Sequence, residues 1–341
     1  MVQEAMFYKR LENNKVQCLL CSHYCVISPD KRGICRVREN QEGVLNTLNY
    51  RKLIAANIDP IEKKPLFHFY PGSQSYSIAA MGCNFRCLHC QNWSISQLSS
   101  DKKIGGEFIS PERIVQHAQE SGCLSISYTY TEPTIYYETA LEISQLARQV
   151  GLKNIFVTNG YISLDALNHI APYLDAANID LKAMSDTFYR KVCGARLKPV
   201  LDRIKQYYEL RIWIEITTLI IPGYNDGDDE LGEIAQFIVD IDKGIPWHIS
   251  AFYPTYKLND TPPTPVSTLQ RAYKIGKDKG LHYVYEGNVG EGENTLCPSC
   301  GKTIISRKYF STNNKIKNSK CPFCGEKIGG IGMSGENNTN Q

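Results

Sequence analysis

Three cysteines lie close together in the stretch Ser77-Ile-Ala-Ala-Met-Gly-Cys-Asn-Phe-Arg-Cys-Leu-His-Cys-Gln-Asn-Trp93, where Cys83, Cys87 and Cys90 form a CxxxCxxC pattern. Thiolates are the ligands that iron–sulfur clusters use. Three local thiolates on a four-iron cubane leave one iron open to another molecule, whereas an electron carrier normally closes that position with a fourth cysteine. The alternative is a zinc knuckle with a distant fourth ligand, but zinc knuckles favour paired CxxC spacing. The pattern therefore predicts an open [4Fe-4S] cluster.

The cysteine loop follows an apolar run, residues 76–81, that predicts a short buried strand ending at Gly82. The same alternation of β-rich runs and amphipathic stretches continues to residue 285. It predicts strands at 76–81, 124–130, 154–157, 177–181, 211–220, 247–252 and 282–285, and helices at 111–121, 134–150, 198–210 and 268–279. This rhythm indicates an α/β fold of parallel strands joined by crossover helices, as an open sheet or a barrel.

Length and composition are those of an ordinary globular protein: 341 residues, 42% hydrophobic and 21% charged, with a net charge of +3 that favours no particular partner. No apolar run approaches the ~20 residues that span a bilayer. The amino terminus lacks the apolar centre of a secretory signal, so we expect a cytoplasmic protein without membrane contact. We expect four regions: a cysteine-rich module at 1–75, a core at 76–286, a four-cysteine module at 287–328 and a disordered tail at 329–341.

Eleven of the thirteen cysteines fall into three groups, which in a reducing compartment indicates metal ligands rather than disulfides. The two isolated cysteines, Cys123 and Cys193, are expected to be inert buried thiols, although Cys193 beside Gly194 could be exposed and reactive.

The first group is Cys18, Cys21, Cys25 and Cys35. Four thiolates could close around zinc or around an auxiliary cubane, and His23 is a possible substitute ligand. The uneven spacing fits neither a zinc ribbon nor a standard ferredoxin run. We predict a structural metal or a second cluster here, without choosing between them.

The last group forms two CPxCG knuckles and contains Cys297, Cys300, Cys321 and Cys324. This spacing predicts a zinc ribbon, with rubredoxin-like iron as the alternative. The segment between the knuckles carries basic residues and two aromatic residues but no acidic one: Lys302, Arg307, Lys308, Tyr309, Phe310, Lys315, Lys317 and Lys320. Such a loop could bind nucleic acid, but a solvated loop that balances the acidic stretch before it is the simpler interpretation.

With the cysteine triad after the first strand and β-α units behind it, the chain resembles the radical SAM superfamily. Further motifs follow in the superfamily's order. Thr131-Glu-Pro-Thr134 is similar to the GGEP motif, Thr158-Asn-Gly-Tyr161 ends the third strand, Asp180-Leu-Lys182 ends the fourth as in pyruvate formate-lyase-activating enzymes, and Leu219-Ile-Ile-Pro-Gly-Tyr-Asn-Asp226 follows the fifth.

A closer resemblance, covering residues 5 to 328, is to the radical SAM enzyme of the AmmeMemoRadiSam system. The stretches that carry it are Asp59-Pro-Ile-Glu-Lys-Lys-Pro-Leu-Phe-His68, Cys87-Leu-His-Cys-Gln-Asn-Trp93, Ser127-Tyr-Thr-Tyr-Thr-Glu-Pro133 and Asn288-Val-Gly-Glu-Gly-Glu-Asn294. The resemblance implies a partial (β/α)6-type barrel that binds a [4Fe-4S] cluster and S-adenosylmethionine (SAM). It also implies an electron donor and reductive cleavage of SAM to a 5′-deoxyadenosyl radical that abstracts hydrogen from a substrate.

The resemblance also implies which residues approach SAM: His89 beside adenine, and Glu132, Asn159, Asp180 and Lys182 at the carboxyl ends of the strands. We expect Tyr130, Glu215 and His248 at the same end. The chain departs from the family pattern where Thr131-Glu132 replaces Gly-Gly-Glu, where His89 replaces an aromatic residue, and where Val157 replaces an aspartate of the formate-lyase activators.

Each of these residues also has a purely structural interpretation. Glu132 before Pro133 could cap the next helix, although we favour contact with SAM. Asp180 and Lys182 share one strand face and could form only an ion pair. His248 is expected to be packed within its strand rather than to serve the reaction.

Three functions remain open from the sequence. The first is a radical SAM enzyme that activates or modifies a protein. The second is the same chemistry on a small molecule. The third is a metal-stabilised module that binds nucleic acid or protein without catalysis, against which stands the open cysteine triad.

Overall fold

The computed structural model describes residues 3–99, 103–290, 292–308 and 311–335. In chain order, the strands of these residues are β1 (Gln3–Glu4), β2 (Tyr8–Arg10), β3 (Val16–Cys18), β4 (Val26–Ile27), β5 (Arg38–Gln41), β6 (Val44–Thr47), β7 (Lys52–Leu53), β8 (Ala55–Pro60), β9 (Gln74–Ala79), β10 (Glu107–Phe108), β11 (Ser125–Tyr128), β12 (Lys153–Thr158), β13 (Ala176–Asp180), β14 (Trp213–Ile220), β15 (Trp247–Ala251), β16 (Val284–Gly287), β17 (Thr295–Leu296), β18 (Thr303–Lys308) and β19 (Ser311–Asn314).

The α-helices of the described residues are α1 (Trp93–Ser96), α2 (Pro111–Glu120), α3 (Tyr137–Gln149), α4 (Leu164–Ile170), α5 (Asp186–Phe188), α6 (Leu197–Glu209), α7 (Asp228–Ile241) and α8 (Val266–Asp278). The start of α2 is the one expected from Ser110-Pro111: the Ser110 hydroxyl accepts a hydrogen bond from the backbone N–H of Arg113. Short 3-10 turns precede α3 at Pro133–Tyr136 and follow α4 at Ala171–Tyr173, and a π-helical turn spans Tyr189–Cys193.

An eight-stranded sheet forms the centre of the molecule, with the strand order β16-β15-β14-β13-β12-β11-β9-β8. From β9 to β16 all neighbouring strands are parallel, and β8 pairs antiparallel at the edge. Every strand and helix predicted from the sequence is confirmed within a few residues. Within the central sheet and its crossover helices, the sequence pattern missed α4, α7 and the edge strand β8.

The two faces of the sheet differ in chemistry, as strand β14 illustrates. Ile214 and Ile216 are buried on the face that α6 covers, and Glu215 lies between them on the opposite face. Because parallel strands bring their carboxyl ends to one edge, the residues after β9, β11, β12 and β13 meet there. This edge carries the cysteine triad.

The amino-terminal region folds into two small antiparallel sheets, β1-β6-β5 and β2-β3-β4. Its predicted boundary at residue 75 needs correction, because β8 belongs to the central sheet and pairs with β9 along Ala55–Pro60. The segment after β8 is also part of the core: Ile61, Leu66 and Phe69 pack against Ile155 and Ala176 near the amino ends of the strands.

The carboxyl-terminal module is the small sheet β17-β18-β19, whose buried residues pack against Phe67, Tyr283 and Tyr285. The predicted disordered tail is wrong for residues 329–335: the backbone of Ile331 bridges to Phe69, and Met333 is fully buried. Residues 336–341 of that predicted tail lie outside the described residues. No helix in the described ranges is long and apolar enough to cross a membrane.

Candidate functional site

The loop of the cysteine triad is held between two neighbouring segments. It begins at Gly82, whose φ of +107° favours glycine, and whose N–H donates to the carbonyl of Ile95. Farther along, the N–H groups of Arg86 and Leu88 donate to carbonyls of the π-helical turn at Tyr189–Cys193. The loop is therefore fixed by backbone hydrogen bonds on both sides of Cys87.

The three triad thiols lie beside hydrogen-bonding groups of the protein. Cys87 is buried, while Cys83 and Cys90 are half-buried. The Cys83 sulfur accepts from the Phe85 N–H at 3.4 Å, and the Cys90 sulfur lies 3.1 Å from the Ser96 hydroxyl oxygen. A hydrogen bond from the Cys193 thiol lowers the pKa of Cys87, and the positive charge of Lys182 acts in the same direction. The loop therefore favours a thiolate at its central cysteine.

Two polar atoms beside the triad lack protein partners among the described residues. These are Nδ2 of Asn84, on a side chain with no exposure, and Nδ1 of His89, on a side chain that is 4% exposed. Buried polar groups are normally hydrogen-bonded, so unpartnered ones indicate that a bound group supplies the partner. Three converging thiols with a free amide donor fit an iron–sulfur cluster, whose sulfurs accept hydrogen bonds.

The Glu132 carboxylate accepts hydrogen bonds from donors of the protein itself. Its Oε1 accepts from the backbone N–H of Thr134 at 3.1 Å and from the hydroxyls of Thr134 and Thr158 at 2.5 and 2.8 Å. Its Oε2 accepts from the Asn159 N–H at 2.8 Å. The carboxylate thus caps the turn at Pro133–Tyr136, which is the structural role that the sequence analysis ranked second.

Asn159 connects this cap to the triad. Its Nδ2 donates to Oδ1 of Asn84 at 2.8 Å and lies 3.9 Å from the Cys83 sulfur, while its Oδ1 accepts from the Tyr161 N–H. Glu132 and Asn159 therefore form one hydrogen-bonded chain that ends at a triad cysteine.

Asp180 and Lys182 form the ion pair that the sequence left open as their structural role, with Nζ and Oδ2 2.8 Å apart. Burial opposes the charge on Lys182, yet the neighbouring Asp180 and the thiols of Cys87 and Cys193 raise the pKa of its ammonium group. Cys193 is fully buried, which confirms the predicted buried thiol and excludes the alternative of an exposed thiol beside Gly194. The sequence pattern missed that Cys193 lies beside the triad.

His89 lies on the same side as this pair. Burial, aided by the charge of Lys182, lowers the pKa of the imidazole to about 3, so the ring is neutral near pH 7. Its centroid lies 6.3 Å from that of Phe188. A neutral ring with an aromatic neighbour can stack against a planar ligand.

A further polar cluster was not found from the sequence and contains Asp59, Lys64 and Tyr130. Lys64 is 1% exposed and donates to Oδ2 of Asp59 at 2.6 Å, while the Tyr130 hydroxyl donates to the same carboxylate. The Lys64 ammonium lies 4.9 Å from the centroid of the Tyr130 ring. The two neighbouring ammonium groups of Lys63 and Lys64 outweigh burial and lower the pKa of Asp59. The signal available beforehand was the charged run Glu62-Lys63-Lys64 next to a strand.

Glu215 and His248 do not join the site, which corrects the expected placement. Glu215 is the third residue of β14 and lies toward the amino ends of the strands. Its carboxylate accepts from the N–H groups of Phe67 and His68 and from Nε2 of His248, 2.7 Å away. This arrangement fixes the segment after β8, and His248 is packed as expected for a strand histidine.

The four carboxyl-terminal cysteines converge on one point. In the part of the chain that the structure describes, only this set brings three or more potential ligands close enough for a single ion, with all four sulfurs within 4.8 Å of one another. Two sulfur pairs, Cys297–Cys324 and Cys300–Cys321, are 3.6 and 3.8 Å apart. Tetrahedral bonds of about 2.3 Å to one metal place sulfurs ~3.8 Å apart. These cysteines can therefore hold one metal ion.

The basic segment between the knuckles is partly internal. Arg307 is 8% exposed and its guanidinium donates to the carbonyl of Phe67, to the hydroxyl of Thr295 and to the carbonyl of Glu293. It is therefore unavailable to nucleic acid. Tyr309 and Phe310, the two aromatic residues of the predicted surface, lie outside the described residues.

The amino-terminal cysteines also converge, around a cavity of about 20 Å³ that is lined by Cys18, Cys21, Cys25 and Cys35 together with Asn84 and Arg38. All four are free thiols. They do not form a set tight enough for a single ion.

Several known proteins are similar to this chain in sequence or in fold. A family profile described as the radical SAM superfamily matches residues 78–238. An uncharacterised protein of Methanocaldococcus jannaschii is 49% identical and covers 96% of this chain and 99% of its own length. The pyruvate formate-lyase 1-activating enzyme of Escherichia coli is 22% identical over 58% of this chain and 87% of its own. A radical SAM methyltransferase structure from Sphaerobacter thermophilus has a TM-score of 0.51 at 14% identity, covering 65% of this chain and 68% of that one.

Proposed function

The chain belongs to the radical SAM superfamily, and we propose that it is an enzyme that cleaves SAM reductively at a [4Fe-4S] cluster bound by Cys83, Cys87 and Cys90. Membership of the superfamily implies the cluster and SAM as cofactors, and relatives include activating enzymes of glycyl-radical enzymes. The observation that carries the proposal is the triad itself, with three thiols on one fixed loop beside the unpartnered Asn84 amide.

When bound by Cys83, Cys87 and Cys90, the cluster would pass one electron, received from an external donor, to the SAM sulfonium, and the cleavage would give methionine and a 5′-deoxyadenosyl radical for hydrogen abstraction. The protein's own residues hold and orient these groups. We assign the three thiolates to cluster binding, the Asn84 and Asn159 amides to hydrogen bonds with cluster sulfurs, and the neutral His89 ring to stacking on adenine.

Glu132, Asp180 and Lys182 complete this assignment. Since four donors of the chain already use the Glu132 carboxylate, we assign it to holding the turn after β11 in place rather than to direct contact with SAM. The Lys182 ammonium, paired with Asp180, faces the thiol of Cys87 and offsets negative charge at the cluster.

Finer features of the family complete the proposal. We interpret the parallel strands β9 and β11–β15 as a partial (β/α)6 barrel, with β16 and β8 added at its edges. We interpret the carboxyl-terminal module as a zinc ribbon, because its sulfur spacing fits tetrahedral coordination. We also assign the chain to the radical SAM enzymes of the AmmeMemoRadiSam system, on the motifs that carry that resemblance.

For the substrate we favour a protein over a small molecule. The support is the relation to enzymes that activate other proteins, together with two small modules that flank the sheet and could contact a macromolecule. The nucleic-acid alternative is weakened, since Arg307, one of the six basic residues between the knuckles, is buried within the protein.

The test is anaerobic reconstitution with iron and sulfide, followed by dithionite and SAM, with 5′-deoxyadenosine measured by chromatography. We expect product from the wild type and from Cys123→Ala, a matched control that removes a buried thiol far from the triad in sequence. We expect Cys87→Ala to lose the product entirely, because the cluster then lacks a ligand. Product that persists in Cys87→Ala, or none from a cluster-loaded wild type that binds SAM, would refute the proposal.

A further inference from the structure

The four cysteines of the amino-terminal module form a second site, separate from the triad. Cys18 ends β3, Cys25 precedes β4, and Cys35 lies in the turn before β5, yet all of them line one cavity with Cys21. Cys18 and Cys35 are buried and the other two are half-buried. Neighbouring strand ends and turns of one small module thus bring four free thiols to one cavity.

The spacing of these thiols distinguishes them from the ribbon. Within the described ranges, the ribbon cysteines alone meet the distance that one ion requires, and neither the amino-terminal four nor the triad does. Cysteines that bind separate corners of a cubane lie farther apart than the ~3.8 Å imposed by a single tetrahedral metal. The amino-terminal cysteines therefore resemble the triad and not the ribbon.

Two buried donors of the cavity wall support a bound group with acceptor atoms. Nε of Arg38 and Nδ2 of Asn84 have no hydrogen-bond partner among the described residues, and their side chains are 1% and 0% exposed. The other guanidinium nitrogens of Arg38 are engaged by Glu138 and by the carbonyl of Met6. A buried donor without a partner is unfavourable, so a bound group whose sulfurs accept from the Arg38 Nε–H and from one of the two Nδ2–H bonds of Asn84 would account for both, while the second Nδ2–H bond of Asn84 remains for the triad cluster.

His23 is not needed as a ligand at this site. Its Nε2 lies 2.8 Å from the carbonyl oxygen of Asn84, and its ring packs on Tyr161 with centroids 4.7 Å apart. One ring nitrogen is thus engaged by the triad loop, and four thiolates suffice to close a cubane.

The site shares a wall with the triad. A Cβ built on Gly82, the residue before Cys83, would lie 3.0 Å from the carbonyl oxygen of Cys35 and 2.7 Å from Cγ1 of Val37. Asn84 faces both groups of cysteines, since it lines the cavity while its Oδ1 accepts from Asn159. We propose that Cys18, Cys21, Cys25 and Cys35 bind a second [4Fe-4S] cluster, closed by four protein ligands, directly beside the SAM-binding one.

The test uses the full chain with the triad removed by Cys83→Ala, Cys87→Ala and Cys90→Ala. After anaerobic reconstitution with iron and sulfide, we expect about four iron and four acid-labile sulfide per chain, with a dithionite-sensitive electron paramagnetic resonance signal. Adding Cys18→Ser and Cys35→Ser should remove both iron and sulfide, whereas adding Cys123→Ser should remove neither. Because this chain cannot cleave SAM, the result does not depend on the proposed function.

Acid-labile sulfide in the triad-free chain is decisive by itself and needs no substitution in the amino-terminal module. Its absence, or iron without sulfide, would overturn the proposal. So would two zinc ions per chain, one of which is lost on Cys18→Ser, since that result identifies a mononuclear site.

Discussion

Two small cysteine modules flank the same sheet, and they differ in how their thiols are spaced and in what surrounds them. The carboxyl-terminal four lie within 4.8 Å of one another, whereas the amino-terminal four surround a cavity. The carboxyl-terminal module belongs to a small core separate from the main one, in which Ile304 and Ile305 pack with Phe67. The amino-terminal module contributes Val16, Val37 and other residues to the main core of the protein.

Each module is attached to the rest of the protein through a buried arginine of its own. Arg38 donates from Nη2 to both carboxylate oxygens of Glu138 on α3, at 2.6 and 2.8 Å. Arg307 reaches Glu62 at 3.5 Å and otherwise donates to carbonyl and hydroxyl oxygens around Phe67. The same residue type thus makes a charge-paired anchor on one side and a mostly neutral anchor on the other.

The comparison teaches that a four-cysteine count does not define a metal site. Sulfur spacing decides whether one ion or a cluster fits, and the surrounding core decides whether the fold needs the metal. We expect the module with the small separate core to depend on its metal most strongly.

Metal removal provides the largest expected effect. Cys321→Ser should unfold β17–β19, because the zinc proposed for this module would contribute on the order of 10 kcal/mol to its folding, as structural zinc does in small zinc-binding modules. The matched change Cys25→Ser should leave β1-β6-β5 folded, since that module packs into the main core. Hydrogen exchange of the amides of Thr303–Lys308 and Val44–Thr47 measures the two effects separately. Equal loss of protection in both modules would contradict the comparison.

The two arginines provide the next test. Arg38→Met leaves the Glu138 carboxylate buried and without its cation, so we expect a loss of about 3–5 kcal/mol in the free energy of unfolding. Arg307→Met should cost less, because its ion pair with Glu62 is longer. Urea unfolding measures both.

A double variant controls for packing at the amino-terminal anchor. Arg38→Met combined with Glu138→Leu removes both charges, and we expect it to recover most of the stability lost in Arg38→Met. A double variant as unstable as the single one would show that lost contacts, and not an unpaired charge, cause the effect.

The sequence predicted the parts of the fold that depend on local pattern. Short β-rich runs located β9 and the strands from β11 to β16, and Ser110-Pro111 located the start of α2. It failed for β8, because the stretch Ala55-Ala-Asn-Ile-Asp-Pro60 is polar and short of β-branched residues. Pairing with β9 along its whole length stabilises this strand, and such a long-range contact leaves no local signal.

The sequence predicted the site residues that lie close together along the chain and missed the contacts between residues that are far apart along it. Cys83, Cys87 and Cys90 are apparent from their spacing. Cys193 reaches Cys87 because carbonyl oxygens of the π-helical turn at Tyr189–Cys193 accept hydrogen bonds from N–H groups of the triad loop. Glu215 was misplaced because a strand residue shows its face but not how far along the sheet it lies.

The junction of the carboxyl-terminal module contains a buried histidine, which predicts a pH effect of smaller size. His68 lies 2.7 Å from both the Gly329 carbonyl oxygen and the Tyr285 hydroxyl, and burial lowers its pKa to about 4. In the unfolded chain its pKa is about 6.5, so below that pH the unfolded state binds a proton that the folded state does not bind. The contribution of this group to the free energy of unfolding is therefore fully present above pH ~6.5 and is lost as the pH falls toward the pKa of the folded state.

We expect the free energy of unfolding of the wild type to fall by about 2 kcal/mol between neutral pH and about pH 5 because of this group, since one pKa unit corresponds to ~1.4 kcal/mol. His68→Gln should lose this part of the pH dependence, whatever its stability at neutral pH. Tyr285→Phe keeps the imidazole and removes one neighbour, so its slope should stay close to that of the wild type. The free energy of unfolding in urea at the two pH values distinguishes these variants. If the free energy of unfolding changed equally with pH in the wild type and in His68→Gln, the attachment of the carboxyl-terminal module would not depend on a neutral His68. The contrast with the charge-paired anchor at Arg38 would then depend on the two arginines alone.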